Sequence, residues 1–177
     1  MAENEPEMTL VAAITASSQS SVSYDIIKGN DDGAFLINPS SGVLLASDGF
    51  DYERTPFYNL SVRASNVIGA TAVATVMVHV IDVNDNAPVF TNVSYTGSIS
   101  EEALPGSVVL NDRSSPLVIG ATDADSGMNA LLGYRIVDPQ AAELFEIDTN
   151  TGAIKIRRRL DREEASVYSF QVMFERV

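Results

Sequence analysis

Asp82-Val83-Asn84-Asp85-Asn86-Ala87-Pro88 divides this chain. Asp82, Asn84, Asp85 and Asn86 carry short oxygen-bearing side chains, and a proline closes the run. Aspartate and asparagine bond their own backbone in turns, and proline stiffens the backbone around it. Upstream, Val76, Val78 and Val80 alternate with Thr75, Met77 and His79. That period of two is the pattern of a half-buried strand. A strand that runs into a stiff, polar, proline-ended linker marks a boundary between two modules.

The two sides of that boundary match each other. At an offset of 110 residues, Phe35-Leu36-Ile37 lies over Phe145-Glu146-Ile147, and Ser41-Gly42-Val43 over Thr151-Gly152-Ala153. At the same offset Phe50-Asp51-Tyr52-Glu53 falls on Leu160-Asp161-Arg162-Glu163, and Tyr58, Leu60 and Val62 fall on Tyr168, Phe170 and Val172. Tyr24 and Ile26 fall on Tyr134 and Ile136. So many matches at one offset indicate an internal repeat. The second copy carries two insertions, one at Asn111–Pro116 and one in the loop between Asp125 and Tyr134.

Each copy reads as β structure. Tyr58, Leu60, Val62 and Ala64 recur with period two between polar residues, and Tyr168, Phe170, Val172 and Phe174 recur with the same period. Asn38-Pro39-Ser40-Ser41-Gly42 and Asp148-Thr149-Asn150-Thr151-Gly152 supply turn chemistry between short strands. No stretch has the period and caps of a long helix. Short strands and turns in modules of this size predict an all-β chain of two immunoglobulin-like sandwiches.

Composition narrows the function. With 24 acidic against 11 basic residues the net charge is −13, which disfavours nucleic acid and anionic membrane surfaces and suits a protein that gathers cations. The absence of cysteine removes thiol nucleophiles, zinc–thiolate sites and disulfides, and a single histidine leaves no imidazole cluster. No apolar run approaches the roughly 18 residues of a membrane span. Met1–Pro6 has neither the basic nor the apolar region of a signal peptide, so an extracellular role predicts a longer parent chain.

The carboxylates collect in four places: the linker, Asp123-Ala124-Asp125, Asp51-Tyr52-Glu53, and Glu3. Carboxylates one residue apart in a loop can converge on one cation. Hard oxygen ligands without nitrogen or sulfur select Ca²⁺ over transition metals. Asp and Asn also crowd ordinary turns, but four such clusters in one chain favour the cation.

These residues resemble the cadherin superfamily. Asp82-Val83-Asn84-Asp85-Asn86-Ala87-Pro88-Val89-Phe90 resembles its inter-repeat linker, Leu160-Asp161-Arg162-Glu163 and Phe50-Asp51-Tyr52-Glu53 its acidic motif, and Asp123-Ala124-Asp125-Ser126-Gly127-Met128-Asn129 the motif that heads the following repeat. The style is closer to a protocadherin or a Fat/Dachsous-type cadherin than to the strand-exchanging kind, which needs a tryptophan absent here. The resemblance implies two consecutive Greek-key repeats: residues 1–81 lacking the first strand, a calcium-binding linker at 82–88, and residues 89–177 lacking the last strand. It implies two to three Ca²⁺ ions held by Glu3, Asp51, Glu53, Val83, Asn84, Asp85, Asn86, Asp123, Asp125 and Asn129. Val83, Asn86 and Asn129 would serve through their carbonyls. Glu101, Asp161 and Glu163 would form half of a second site.

The implied function is calcium-dependent cell–cell adhesion in the extracellular part of a plasma-membrane protein, with another cadherin ectodomain as partner, homophilic or heterophilic. Neither nucleic acid nor membrane insertion enters. A non-adhesive calcium-binding spacer or a degenerate repeat fragment is the alternative. Enzymes fare worse. Asp125-Ser126-Gly127 resembles an aspartic-protease triplet without the strands that should flank it, His79 reads as a surface strand residue, and an EF-hand from Asp123 would need a glutamate where Tyr134 stands. Asn59-Leu60-Ser61 and Asn92-Val93-Ser94 are N-glycosylation sequons.

Three departures qualify the pattern. Arg176 stands where the family's last acidic ligand belongs, which puts the third ion in doubt. In the first copy Ser18 and Ser20 replace the pair Asp123 and Asp125, and Asn66 replaces an aspartate, predicting a calcium-poor junction upstream. Missing terminal strands predict open sheet edges, with low stability or self-association of the second module.

Overall fold

The computed structural model describes residues 1–176, with the Arg176 side chain outside that description. The chain divides into two compact units between Val83 and Asn84.

The first unit contains β1 (Leu10–Ala13), β2 (Val22–Lys28), β3 (Phe35–Ile37), β4 (Val43–Ala46), β5 (Phe57–Asn66) and β6 (Thr71–His79). Two three-stranded sheets form, in the orders β1-β4-β3 and β2-β5-β6. All their pairings are antiparallel. The predicted alternation is the one observed: Tyr58, Leu60, Val62, Val78 and Val80 are buried, while Asn59, Arg63, Met77 and His79 face out. Phe35, Phe50 and Tyr58 form an aromatic centre, with the Phe35 and Tyr58 rings edge-to-face at 4.9 Å. Leu44 and Leu60, both fully buried, complete it.

The second unit contains β7 (Val89–Phe90), β8 (Ala121–Thr122), β9 (Leu132–Ile136), α1 (Pro139–Leu144), β10 (Phe145–Ile147), β11 (Ile154–Ile156) and β12 (Val172–Arg176). Antiparallel pairs β7–β8, β10–β11 and β9–β12 frame a core of Val109, Ile119, Phe145, Ile154 and Ile156. The Asn111–Pro116 insertion folds on itself. The Asn111 carboxamide oxygen accepts from the Arg113 and Ser115 amides, so the extra residues stay outside the core.

Two details differ from the sequence reading. A six-residue helix follows Asp138, whose carboxylate caps the Gln140 and Ala141 amides while Pro139 occupies the first turn. The strand predicted from Tyr168 keeps its alternating burial, but ladder pairing begins only at Val172. Its partner β9 ends at Ile136, and the chain then turns into α1. In the first unit the matching residues Tyr58 to Leu60 pair with β6; among the described residues of the second unit β12 pairs with β9 alone.

The repeat extends to single atoms. The Asn38 side chain accepts from the Ser40 and Ser41 amides, and Asp148 does the same for Asn150 and Thr151. The Thr151 amide is the main cause that holds the Asp148 carboxyl below its ordinary range. Each turn ends in a glycine with positive φ, +70° at Gly42 and +71° at Gly152. A β-carbon there would lie 2.1 Å from the Ile14 carbonyl oxygen or 2.0 Å from that of Ile119. Gly42→Ala and Gly152→Ala will therefore each destabilise their own unit by about 1–3 kcal/mol from the backbone alone, with the carbonyl overlap adding to it. Chemical denaturation of each variant checks this, and an unchanged midpoint contradicts it.

Candidate metal centre

In the first unit, the chain's start and its linker meet around Glu3. Ala2 bridges Ile81 in parallel, and the Glu3 amide donates to the Ile81 carbonyl at 3.0 Å. This brings the Glu3 side chain under the turn that precedes β5. One carboxylate oxygen accepts from the Tyr52 amide and the other from the Val83 amide, both at 2.7 Å. Glu3 is only 3% exposed. Its partners are backbone amides rather than an arginine or lysine. A carboxylate is costly to bury unless well hydrogen-bonded, and the two amides supply those bonds.

Asp51 and Glu53 join it. Ligand oxygens of Glu3, Asp51 and Glu53 all lie within 4.8 Å of one another. Asp51 is held by the Arg54 amide at 2.8 Å, and its carbonyl accepts from Thr55. Three carboxylates so close repel unless a cation or protons intervene. An all-oxygen set of this kind fits a hard divalent cation such as Ca²⁺.

The second unit gathers the remaining predicted residues. The Asn86 side-chain NH₂ donates to Asp85 at 2.8 Å and to Asp125 at 2.7 Å, and its backbone amide also donates to Asp125. Asp123 accepts from the Asp125 amide, and the Asn84 carboxamide donates to the Asn129 carbonyl at 3.3 Å. Asp125 is 6% exposed, and one oxygen each of Asp123 and Asp125 is shut off from solvent. Asp125-Ser126-Gly127 lies in the loop between β8 and β9, in a turn closed by the Asn129 amide on the Ser126 carbonyl.

The half-site of the second unit is looser. The Arg162 amide donates to Glu101 at 3.3 Å, as the Tyr52 amide does to Glu3, and the Glu163 amide donates to Asp161 at 2.8 Å. Glu101, Asp161 and Glu163 are all exposed. Arg176, expected to disturb a third ion, has its side chain outside the described residues. Asn59 and Asn92 are exposed. His79 is exposed, with its ring 4.9 Å from that of Phe57.

Residue-type reasoning misses the groups that hold Glu3. They are the backbone amides of Tyr52 and Val83, 49 and 80 residues away, and no side-chain type marks them. Asp82, one of whose oxygens is sheltered from solvent, has the chemistry of the linker but no place among the predicted ligands.

The profile of the cadherin domain matches residues 1–81 and again 95–175. The chain belongs to the cadherin family. Human "Protocadherin Fat 1" is 49% identical over 164 residues, 93% of this chain. The Drosophila melanogaster "Fat-like cadherin-related tumor suppressor homolog" is 40% identical over 173 residues, 96% of this chain. The chain spans only 4% of the length of either relative. Among solved structures, repeats EC22-24 of mouse cadherin-23 superpose with a TM-score of 0.83 at 30% identity, covering 98% of this chain and 55% of that one. The two units are thus tandem cadherin repeats, all-β sandwiches of Fat and protocadherin type. No helix among the described residues is long and apolar enough to cross a membrane.

Proposed function

We propose that this repeat pair is a calcium-stiffened extracellular module of a membrane-anchored adhesion receptor, with residues 82–88 as the calcium-binding linker between repeats 1–81 and 89–177. The observation that carries the reading is the buried Glu3 carboxylate, oriented by the Tyr52 and Val83 amides and gathered with Asp51 and Glu53 in a cadherin repeat.

Glu3, Asp51 and Glu53 would serve from the first repeat, and the Val83 carbonyl from the linker. Asn84, Asp85 and Asn86 would serve from the linker, and Asp123, Asp125 and the Asn129 carbonyl from the second repeat. Bound calcium supplies the positive charge that lets carboxylates of two repeats share one site. The six carboxylates Glu3, Asp51, Glu53, Asp85, Asp123 and Asp125 carry the charge that three divalent ions balance. Arg176 argues for two ions as the lower bound.

Held this way, two tethered repeats become a stiff rod that presents one surface to a partner, another cadherin ectodomain. No catalytic role is proposed, in keeping with membership of the cadherin family. The test is the distribution of distances between dyes placed one on each repeat, at exposed positions away from the carboxylates. The distribution narrows in calcium and broadens in chelator. A width indifferent to calcium contradicts the stiffening.

A further inference from the structure

The first repeat has two ends, and they differ in chemistry. Its β5 is ten residues long, which spans about 30 Å. Asp51 and Glu53 precede its start, and Asn66 closes its far end opposite Val22. At that far end Ser18 and Ser20 stand where the second repeat has Asp123 and Asp125.

The far end is closed on itself by neutral groups. The Asn66 side chain donates to the Ser18 hydroxyl at 3.2 Å, and its oxygen accepts from the Ile68 and Ala70 amides at 3.2 and 2.9 Å. The Ser18 hydroxyl also accepts from the Ser20 amide and lies 3.4 Å from the Ser20 hydroxyl. Asn66 thus spends its carboxamide oxygen pinning the β5–β6 hairpin and its NH₂ group tying that hairpin to Ser18. The tip it pins is apolar: Val67 is 77% exposed and Ile68 82%. Farther along β2, Asp25 is forked onto Arg63 through two hydrogen bonds, so its charge is answered. A calcium site needs six to eight oxygens, several of them carboxylates. Two hydroxyls and one committed carboxamide do not fit that requirement.

We infer that calcium acts on the first repeat at one end only: the Ser18–Ser20–Asn66 end is closed to divalent cations, and any repeat joined there is coupled without them. The contrast with the Glu3 end rests on the function proposed above; the closure of the Ser18 end does not.

Amide chemical shifts of the intact chain, followed through a calcium titration, separate the two. The amides of Tyr52, Val83, Asp125 and Asn129 move, while those of Ser20, Ile68 and Ala70 stay. Movement of the second group at the calcium concentration that moves the first overturns the inference. If neither group moves, the calcium reading of the linker fails and the closed end stands. Ser18→Ala/Ser20→Ala serves as the second check. It leaves the number of bound calcium ions unchanged, and the loss of an ion would overturn the inference independently.

Discussion

Asp85→Ala will weaken calcium binding at least about tenfold, a loss of about 1.4 kcal/mol, while leaving the metal-free protein as stable as before. Asp85 is exposed and lies outside both hydrophobic cores. Surface replacements of that kind usually change stability by less than about 0.5 kcal/mol. The Asn86 carboxamide that donates to Asp85 retains Asp125 when Asp85 is lost. The proposed ligand set, by contrast, loses a carboxylate placed to bridge ions. A ligand at ten times its Kd stabilises the folded state by about 1.4 kcal/mol per site. Melting curves in calcium and in chelator should therefore diverge for the natural sequence and nearly coincide for the variant. An Asp85→Ala protein that melts and binds like the original removes Asp85 from the ligand set.

The second large effect concerns the cores. Leu60→Ala and Ile154→Ala each empty a site at most 2% exposed, in the first and second repeat respectively. Such truncations cost about 2–5 kcal/mol, and in domains of this size each kcal/mol moves the midpoint by about 4–8 °C. Because each repeat has its own core, each variant will lower one transition and leave the other in place when calcium is chelated. The second repeat will melt first. The Tyr168 and Phe170 rings, 5.4 and 5.0 Å from that of Phe145, line a broad groove open to solvent. A single transition lowered equally by both variants would contradict independent cores.

Chemistry confined to a few neighbouring residues was legible in the sequence. The turns at Asn38–Gly42 and Asp148–Gly152 announce themselves, because only a short side chain that bonds its own backbone and a glycine at positive φ suit them. Strand faces were legible for the same reason, since period two needs only a local window. The start of β12 at Val172 was not, because it depends on where β9 stops. Nor was α1 itself, a short helix capped by Asp138 that ends where Phe145 enters a strand paired with β11. The carboxylates were legible as residue types, but their holders were not. Tyr52 and Val83 act through backbone amides, and only folding brings those to Glu3.

The most direct test of the central claim is a calorimetric titration of the chain with calcium, after exhaustive chelation. The proposed ligand set predicts saturable binding of two to three ions, in the extracellular range of about 10⁻⁴ to 10⁻³ M or tighter. Absence of saturable binding up to about 10 mM, ten times the weak limit of that range, would contradict it and leave the carboxylates as turn-formers alone.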